Sequence, residues 1–236
     1  MNQNELYDLQ TIRVMQRTLN PESNCIDIGC HTGVFLDEII KFAPFGSHFA
    51  FEPIPSLFLE LSERFSNNEK LTISNVAASD KSGEVSFQHV VSNPGYSGLK
   101  RRRYDRENEI VQEITVKSEL LDDVVPLDVK IDLIKIDVEG AEFQVLRGAS
   151  KILKRWNPVL IFEHGLGAAD YYGTKPEDLF DFLVVECNYA IFIMEEWLSS
   201  NRAKHLNKAE FSDEFNSGRH FYYMGTHRSH VSYLTE

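Results

Sequence analysis

Cys25-Ile26-Asp27-Ile28-Gly29-Cys30-His31-Thr32-Gly33 is the stretch that decides the fold of this chain. Its apolar residues predict a short buried strand, and its glycines predict a tight turn that leads into a helix. This order is typical of the first unit of an α/β sheet, in which the turn holds a nucleoside cofactor. A loop that binds the pyrophosphate of a dinucleotide needs a glycine where this chain has His31. The loop therefore favours a nucleoside cofactor that carries no pyrophosphate.

The composition fits a single domain over residues 1–236. The chain has 236 residues, 42% of them hydrophobic, which is enough to bury one core. Its formal net charge of −12 would repel nucleic acids and anionic membranes, so we expect neither as a partner. Residues 1–9 lack the regions of a secretion signal, and no apolar run approaches the roughly 20 residues of a membrane helix. We therefore expect a cytoplasmic location; the sequence does not indicate an oligomeric state.

Hydrophobic periodicity predicts strands that alternate with helices. An N-terminal helix lies within residues 1–20, and three strand–helix units follow it. A strand at 131–137 and a helix at 141–155 resume the alternation further along. Residues 198–216 are polar without clear periodicity, and we predict no regular element there. The order of elements implies a mostly parallel sheet with helices on both faces.

An insertion and a tail interrupt this pattern. A β-hairpin-like excursion is predicted around 83–117, with a flexible basic segment at 92–110. That segment contains Lys100-Arg101-Arg102-Arg103-Tyr104-Asp105-Arg106, the basic run of an acidic chain. It is either a solvated tip or a lid that recruits an anionic acceptor, and both interpretations stay open. Residues 226–236 form a C-terminal tail.

Two acidic positions are expected at the edge of the sheet where ligands bind. Glu52 follows the second predicted strand, about 20 residues past the glycine turn, where a carboxylate accepts hydrogen bonds from ribose hydroxyls. Asp137 ends the strand that resumes the sheet. Lys135 lies two residues before it on the same face of the strand, and a buried lysine needs an acidic partner such as Asp137.

Four motifs in order resemble the FkbM-type methyltransferases, over about residues 20–165. They are D-I-G-C-H-T-G at Asp27–Gly33, F-E-P at Phe51–Pro53, N-V-A-A-S-D-K-S-G at Asn75–Gly83 and K-I-D-V-E-G-A-E at Lys135–Glu142. The resemblance implies the class I methyltransferase fold, Rossmann-like, with a seven-stranded sheet whose last strand is antiparallel. It also implies S-adenosylmethionine as the cofactor and a hydroxyl oxygen of a sugar, glycan or other small natural product as the methyl acceptor.

The same resemblance implies a set of cofactor-binding residues. It places Asp27, Gly29 and Gly33 on the methionine and ribose side, together with their loop neighbours Cys30 and His31. It places Glu52 and the adjacent Pro53 at the ribose. Ala78, Ser79 and Asp80 are expected near the adenine, and Asp137 near the methyl group. Cys30 and His31 stand where family members more often carry small or amide residues, commonly Ala-Asn, so the role of His31 stays open.

Candidate catalytic residues cluster at two strand ends: Asp137, Glu139 and Lys135 at one, Glu163 and His164 at the other. An attacking hydroxyl benefits from a base, and histidine titrates near neutral pH, so His164 is a candidate base; the alternative is a polar loop histidine with no catalytic task. Asp137 and Glu163 offer two carboxylates to a divalent metal, which is too few for a metal site to be predicted.

Two other classes of function remain as alternatives to an O-methyltransferase. One is an NAD(P)-dependent oxidoreductase or epimerase on a similar sheet. His31 and the missing Tyr-x-x-x-Lys pair count against it. The other is a non-catalytic module that keeps a nucleoside pocket. The acids at the strand ends count against that alternative.

Overall fold

A computed structural model describes residues 2–104, 108–200 and 203–230 of the chain. Within them lie ten strands: β1 Cys25–Ile28, β2 His48–Phe51, β3 Leu71–Ser74, β4 Ala77–Ala78, β5 Gly83–Val90, β6 Val111–Glu119, β7 Leu133–Ile136, β8 Val159–Glu163, β9 Tyr189–Ile193 and β10 Tyr222–His227. The α-helices are α1 Gln3–Thr18, α2 Val34–Phe42, α3 Pro55–Arg64, α4 Leu121–Val124, α5 Glu142–Gly148, α6 Ser150–Trp156, α7 Pro176–Phe180, α8 Met194–Ser199 and α9 Lys208–Ser217. None of these helices is long and apolar enough to cross a membrane.

Seven strands form one sheet in the order β3-β2-β1-β7-β8-β10-β9. The last strand, β10, runs antiparallel to both β8 and β9, and the pairings among β3, β2, β1, β7 and β8 are parallel. The prediction of a mostly parallel seven-stranded sheet with an antiparallel last strand is confirmed. Strands β1, β2, β7 and β9 are buried along their whole length, as expected where helices cover both faces of a sheet.

Alternation along each central strand divides the core between the two faces. Ile134 and Ile136 of β7 pack into the larger hydrophobic cluster, and Leu133 packs into the cluster that also holds Val14 and Met15 of α1. Since successive side chains point to opposite faces, Lys135 lies on the same face as Leu133. The lysine is thereby directed into the layer covered by α1.

A second, three-stranded sheet carries the insertion, in the order β4-β6-β5. Strands β5 and β6 pair antiparallel from Gly83↔Ser118 to Val90↔Val111, which confirms the hairpin. We call residues 92–104 the strap. It folds back onto β5, because the amides of Gln88 and Gly98 each donate to the other's carbonyl oxygen (2.8 and 3.2 Å). Asp105 and Arg106 of the predicted basic segment lie outside the described residues, and its flexibility stays a prediction.

The helix predicted at 141–155 is two helices, α5 and α6, which meet at Ala149. The carboxylate of Asp122 accepts hydrogen bonds from the amides of Lys151 (2.8 Å) and Ile152 (3.0 Å). This side chain caps the start of α6 from another part of the chain. A cap of this kind leaves no local pattern in the sequence, so periodicity alone merges the two helices.

The prediction of no regular element at 198–216 is wrong for most of that segment. Helix α9 begins at Lys208, and Asn207 caps it. The Asn207 side chain accepts from the amide of Glu210 (3.0 Å), and the Glu210 carboxylate accepts from the amide of Asn207 (2.9 Å). This capping box was the signal that hydrophobic periodicity missed. Part of the predicted tail, Thr226 and His227, belongs to β10. Residues 231–236 of that tail lie outside the described residues.

Candidate active site

The carboxyl ends of the parallel strands meet at one edge of the large sheet, which is where open α/β sheets bind ligands. Because β10 is antiparallel, it brings its first residue, Tyr222, to this same edge, opposite Glu163 at the end of β8. Strand β1 delivers the glycine loop and strand β7 delivers Asp137. Residues far apart in sequence therefore converge here.

Gly29 permits a close approach between two of these strand ends. Its φ of +71° lies in the left-handed region, and a Cβ atom added there would lie 1.9 Å from the carbonyl oxygen of Asp137. Its amide donates to the carbonyl oxygen of Phe51 at the end of β2 (3.0 Å). A side chain at position 29 would push the loop after β1 away from the strand end of β7. The glycine is thus needed for the shape of the site.

Glu52 holds the same loop from the other side. Its carboxylate accepts hydrogen bonds from the amides of His31 and Ile54, both at 2.9 Å, and the residue is 3% exposed. Burial raises the pKa of Glu52 to about 7, against the lowering effect of the two amides. Each carboxylate oxygen keeps a lone pair for a ligand. This geometry suits a carboxylate that binds hydroxyl groups.

Lys135 forms a buried ion-pair network behind the loop. Its ammonium lies 3.4 Å from Asp27 and 3.6 Å from Asp137, and it donates to the carbonyl oxygen of Gly29 (3.3 Å). Lys135 is 2% exposed and Asp27 fully buried. Burial alone would lower the pKa of Lys135, but the charges of Asp27 and Asp137 raise it above its ordinary value. The lysine stays charged and fixes both acids, which confirms the predicted pairing with Asp137.

Two adjacent cavities that share lining residues open at this edge. The inner cavity lies between Glu52 and Asp137, with apolar walls from β4, β5 and the strap, and has a volume of about 550 Å³ including its open mouth. The outer cavity lies between α1, the strap and the start of β10 and has a volume of about 1760 Å³, again including the space open to solvent. Five residues line both: Gly29, His31, Gly95, Asp137 and Glu139. The junction of the two cavities is therefore formed by the glycine loop, the strap and the end of β7.

Most of the predicted site residues lie on these cavities. The inner cavity is lined by Gly29, His31, Glu52, Pro53, Ala78, Asp137 and Glu139. The outer cavity is lined by Cys30 and by the candidate catalytic residues Lys135, Asp137, Glu139 and Glu163. Cys30 is buried, and burial raises the pKa of its thiol well above the ordinary value. A thiol held neutral in this way contributes shape to the wall and no nucleophile.

His164 does not lie where the predicted base was expected. It is 1% exposed and lines neither cavity, and its ring stacks on Phe211 and Phe215 of α9 at centroid distances of 5.7 and 4.7 Å. Burial lowers the pKa of His164 to about 3. The prediction of a base at this position is corrected: His164 is a core residue, packed against a helix that the sequence analysis did not find.

Four predicted cofactor residues also lie off the cavities. Asp27 is buried against Lys135. Gly33 begins α2 with a φ of +79° and packs against Leu61. Ser79 and Asp80 follow β4 beyond the cavity wall. The Ser79 carbonyl packs against Gly148, and Asp80 pairs with Arg147 at 3.6 Å. These four residues support the loops that carry the site. The geometry indicates no direct contact between them and a ligand in either cavity.

Three carboxylates lie close together in the outer cavity. Oxygen atoms of Asp137, Glu139 and Glu163 all lie within 4.8 Å of one another, so the structure adds Glu139 to the two acids considered from sequence. Carboxylate oxygens suit a divalent cation. Glu139, however, forms an ion pair with Arg102 of the strap. Burial and the neighbouring acids Glu139 and Asp137 raise the pKa of Glu163 well above its ordinary value.

The contributions of Tyr222 and of helix α1 to the site were not predicted from the sequence, although the helix itself was. The Tyr222 hydroxyl donates to the carboxylate of Asp137 (2.5 Å). Tyr7 stacks on Tyr222 at a centroid distance of 5.3 Å, and Asp8 of the same helix lines the outer cavity. The antiparallel last strand was the available signal, since such a strand begins at the ligand-binding edge. The predicted helix at 1–20 gave no sign that it closes a cavity.

Comparisons with known proteins agree with this arrangement. The family model described as "Methyltransferase FkbM domain" matches residues 27–191. A curated relative, the 2-O-methyltransferase NoeI of Sinorhizobium fredii (strain NBRC 101917 / NGR234), is 27% identical over 153 residues, which are 57% of this chain and 60% of that protein. The crystal structure of a methyltransferase FkbM from Methylobacillus flagellatus KT superposes with a TM-score of 0.55 at 14% identity, covering 89% of this chain and 44% of that one. The chain thus spans less than two thirds of either protein.

Proposed function

Because the chain belongs to the FkbM methyltransferase family, we propose that it transfers a methyl group from S-adenosylmethionine to a hydroxyl oxygen of a sugar, glycan or other small natural product. One observation carries the proposal: the cavity lined by Glu52 shares His31 and Asp137 with a second cavity that is lined by charged residues. A donor in the inner cavity and an acceptor in the outer one would meet at that junction. Holding the two reactants in line supplies much of the catalysis of such a transfer.

The inner cavity fits the proposed donor. Glu52 offers a buried carboxylate to ribose hydroxyls, and Val76, Ala77 and Phe87 offer apolar surface to a base. Among the described residues that line this cavity there is no lysine or arginine, so a pyrophosphate would lack a cationic partner. When bound, the donor supplies a methyl group activated by a positive sulfonium. Asp137 and Glu139 favour that charge.

The outer cavity supports a polar acceptor. Asp8, Arg102 and Arg103 line it together with the acids of the junction. The matched relative carries the name 2-O-methyltransferase, which supports oxygen as the atom that receives the methyl group. We include acceptors with an anionic group in the proposal, because two arginines of the strap face this cavity.

We expect calorimetry to separate the proposed donor from a dinucleotide. S-adenosylmethionine and its demethylated product should bind with one site per chain, and NAD should bind at least about tenfold more weakly, or ~1.4 kcal/mol. The reason is the inner cavity's lack of a cation for the pyrophosphate. Tight binding of NAD without binding of the methyl donor would contradict the proposal.

The acceptor is tested with methyl-labelled donor and a panel of methyl glycosides, neutral and carboxylated or phosphorylated. We expect label in the sugar product, and base-stable ether linkage identifies oxygen as the methylated atom. Donor binding without transfer to any hydroxyl compound of a broad panel would instead support a non-catalytic nucleoside-binding module.

Replacing Asp137 with asparagine should lower turnover by about tenfold and leave affinity for the demethylated product within about threefold. The substitution removes a charge of the junction, where a loss of ~1.4 kcal/mol in transition-state stabilisation is a tenfold effect. Steady-state kinetics and calorimetry measure the two quantities. The matched control is Asp123→Asn on α4, an exposed acid outside both cavities, which should change neither. Equal turnover in the two variants would show that Asp137 has no role in the active site.

A further inference from the structure

We propose that His31 is the general base that accepts the proton of the acceptor hydroxyl during methyl transfer. The inference rests on the proposed function and adds a catalytic residue to it. From the sequence, His31 could either contact the ligand or face solvent. In the structure it is one of the five residues that line both cavities.

The position of His31 distinguishes it from the other histidines. All eight histidines of the chain lie within the described residues, and His31 alone among them lines either cavity. A base must reach the proton that it removes, within hydrogen-bond distance of the acceptor oxygen. A side chain at the junction faces the place where that oxygen would approach the methyl group.

The backbone fixes where the His31 ring lies. Its φ of 49° is left-handed, a conformation uncommon for residues other than glycine, asparagine, aspartate and histidine. The amide of His31 donates to Glu52 (2.9 Å), and the neighbouring amide of Cys30 donates to the Phe51 carbonyl oxygen (3.3 Å). Within the described residues, no hydrogen bond engages either ring nitrogen. The hydrogen bonds of the backbone hold the residue in place, and both ring nitrogens stay available to a ligand.

The acids of the junction are engaged elsewhere. Asp137 accepts the Tyr222 hydroxyl and faces Lys135, and Glu139 pairs with Arg102. The lysine, the arginine and the Tyr222 hydroxyl occupy these carboxylates, whereas the His31 ring has no such partner among the described residues. We therefore assign to these acids an interaction with the positive sulfonium of the donor, and to His31 the acceptance of the hydroxyl proton.

The charges around His31 favour its neutral form. Burial lowers the pKa of His31, Lys135 lowers it further, and Asp137 opposes them. Lys135 and Asp137 face it from β7, and the carboxylate of Glu52 holds its backbone from the end of β2. The imidazole is consequently unprotonated at neutral pH and able to accept a proton.

The acceptor oxygen forms a bond to the methyl carbon, and the carbon–sulfur bond breaks with its electron pair on sulfur. The hydroxyl proton passes to a ring nitrogen of His31, which becomes an imidazolium. The outer cavity is open to solvent, and the imidazolium releases its proton there.

The test compares two variants with the unmodified protein. His31→Asn keeps a residue that tolerates the left-handed backbone, and His31→Gly leaves room for free imidazole. With the fastest glycoside of the panel, we expect turnover to fall about 10²–10⁴-fold in both variants. Added imidazole should restore part of the activity of His31→Gly. The matched control, His230→Asn, has its exposed side chain outside both cavities and should turn over as the unmodified protein does, with or without imidazole.

Proton NMR gives a readout that needs no acceptor. The ring C2 proton of His31 is assigned by its absence in His31→Asn. We expect it to titrate below the ordinary pKa of about 6.5 and to shift when the demethylated donor is added. A titration above neutral pH, or no shift on saturation with that ligand, overturns the proposal.

The kinetic outcomes separate this proposal from the proposed function. Turnover within threefold of the unmodified protein in His31→Asn would overturn the role of His31 and leave methyl transfer intact. The same result with activity lost to a chelator would assign the role to a cation on Asp137, Glu139 and Glu163. An unmodified protein that binds no methyl donor would contradict the proposed function itself.

Discussion

Replacing Lys135 with methionine should lower the free energy of unfolding by about 3–5 kcal/mol, the usual cost of removing one partner from a buried ion pair. Asp27 is fully buried and would lose its cation at 3.4 Å, and Asp137 would lose the same cation at 3.6 Å. A methionine fills the space of the lysine stem but leaves these charges without compensation. Chemical denaturation of the ligand-free protein measures the change.

The control for this substitution is Lys151→Met on α6. Lys151 is largely exposed and lies 4.0 Å from Asp123, an exposed pair that contributes little to stability. We expect it to change the free energy of unfolding by less than about 0.5 kcal/mol. The double variant Asp27→Asn/Lys135→Met removes both charges and should recover part of the stability lost in Lys135→Met. A loss below about 1 kcal/mol in the single variant would contradict a structural role for this network.

Replacing Glu52 with glutamine should weaken binding of the demethylated donor about 100-fold, since two hydrogen bonds to a charged acceptor contribute about 1.5 kcal/mol or more each. The amide group of glutamine would also face the donors His31 N–H or Ile54 N–H, where the carboxylate accepts at 2.9 Å. Calorimetry measures the affinity, and circular dichroism checks that the variant is folded. The matched control is Glu60→Gln on the exposed side of α3, which should bind as the unmodified protein does. Equal affinity in Glu52→Gln would show that Glu52 does not hold the ribose.

The same carboxyl group should make donor binding depend on pH. With a pKa of about 7 in the free protein, Glu52 is partly protonated near neutrality. Ribose hydroxyls donate to the ionised form, so affinity should rise between pH 6 and pH 8 (roughly one unit either side of that value). Glu52→Gln should lose this dependence. Measurements in two buffers of different ionisation enthalpy should also detect proton release on binding.

The stability of the ligand-free protein changes with pH in the direction opposite to donor affinity. A raised carboxyl pKa means that the folded chain binds more protons than the unfolded chain between the ordinary 4.5 and about 7. The contribution of Glu52 to stability is therefore complete below pH 4.5 and is lost as the pH rises through 7. Donor binding thus favours the ionised form of Glu52, which burial in the folded protein disfavours.

Local signals were sufficient for part of the inner cavity. Gly29 and Glu52 were identified because a tight turn and a strand-end acid have fixed spacing in an α/β sheet, and the structure places both on the inner cavity. The burial of Lys135 in a central strand made an acidic partner necessary, and the pair is present. These features depend on neighbours in sequence or on adjacent strands.

The remaining misses required contacts that no local pattern carries. His164 ends a strand as predicted, but its side chain packs on Phe211 of α9, a helix whose capping box at Asn207 was overlooked. Ser79 and Asp80 follow β4, a two-residue strand of the smaller sheet that turns them from the cavity. Tyr222 lies at the site because β10 runs antiparallel and therefore begins at the ligand-binding edge. These side-chain errors lie in tertiary packing, whereas helix α9 was missed although its capping box is a local signal.

The two cavities draw on different parts of the chain, and this has a consequence for divergence and for engineering. Every residue that lines the inner cavity lies between positions 28 and 141, inside the span shared with the family, whereas the outer cavity borrows its far wall from α1 and the start of β10, outside that span. Under the proposed function, the cavity for the methyl donor can be inherited unchanged while α1 and the start of β10 vary. We expect that grafting these two segments from a relative would change the acceptor and leave donor binding as it is.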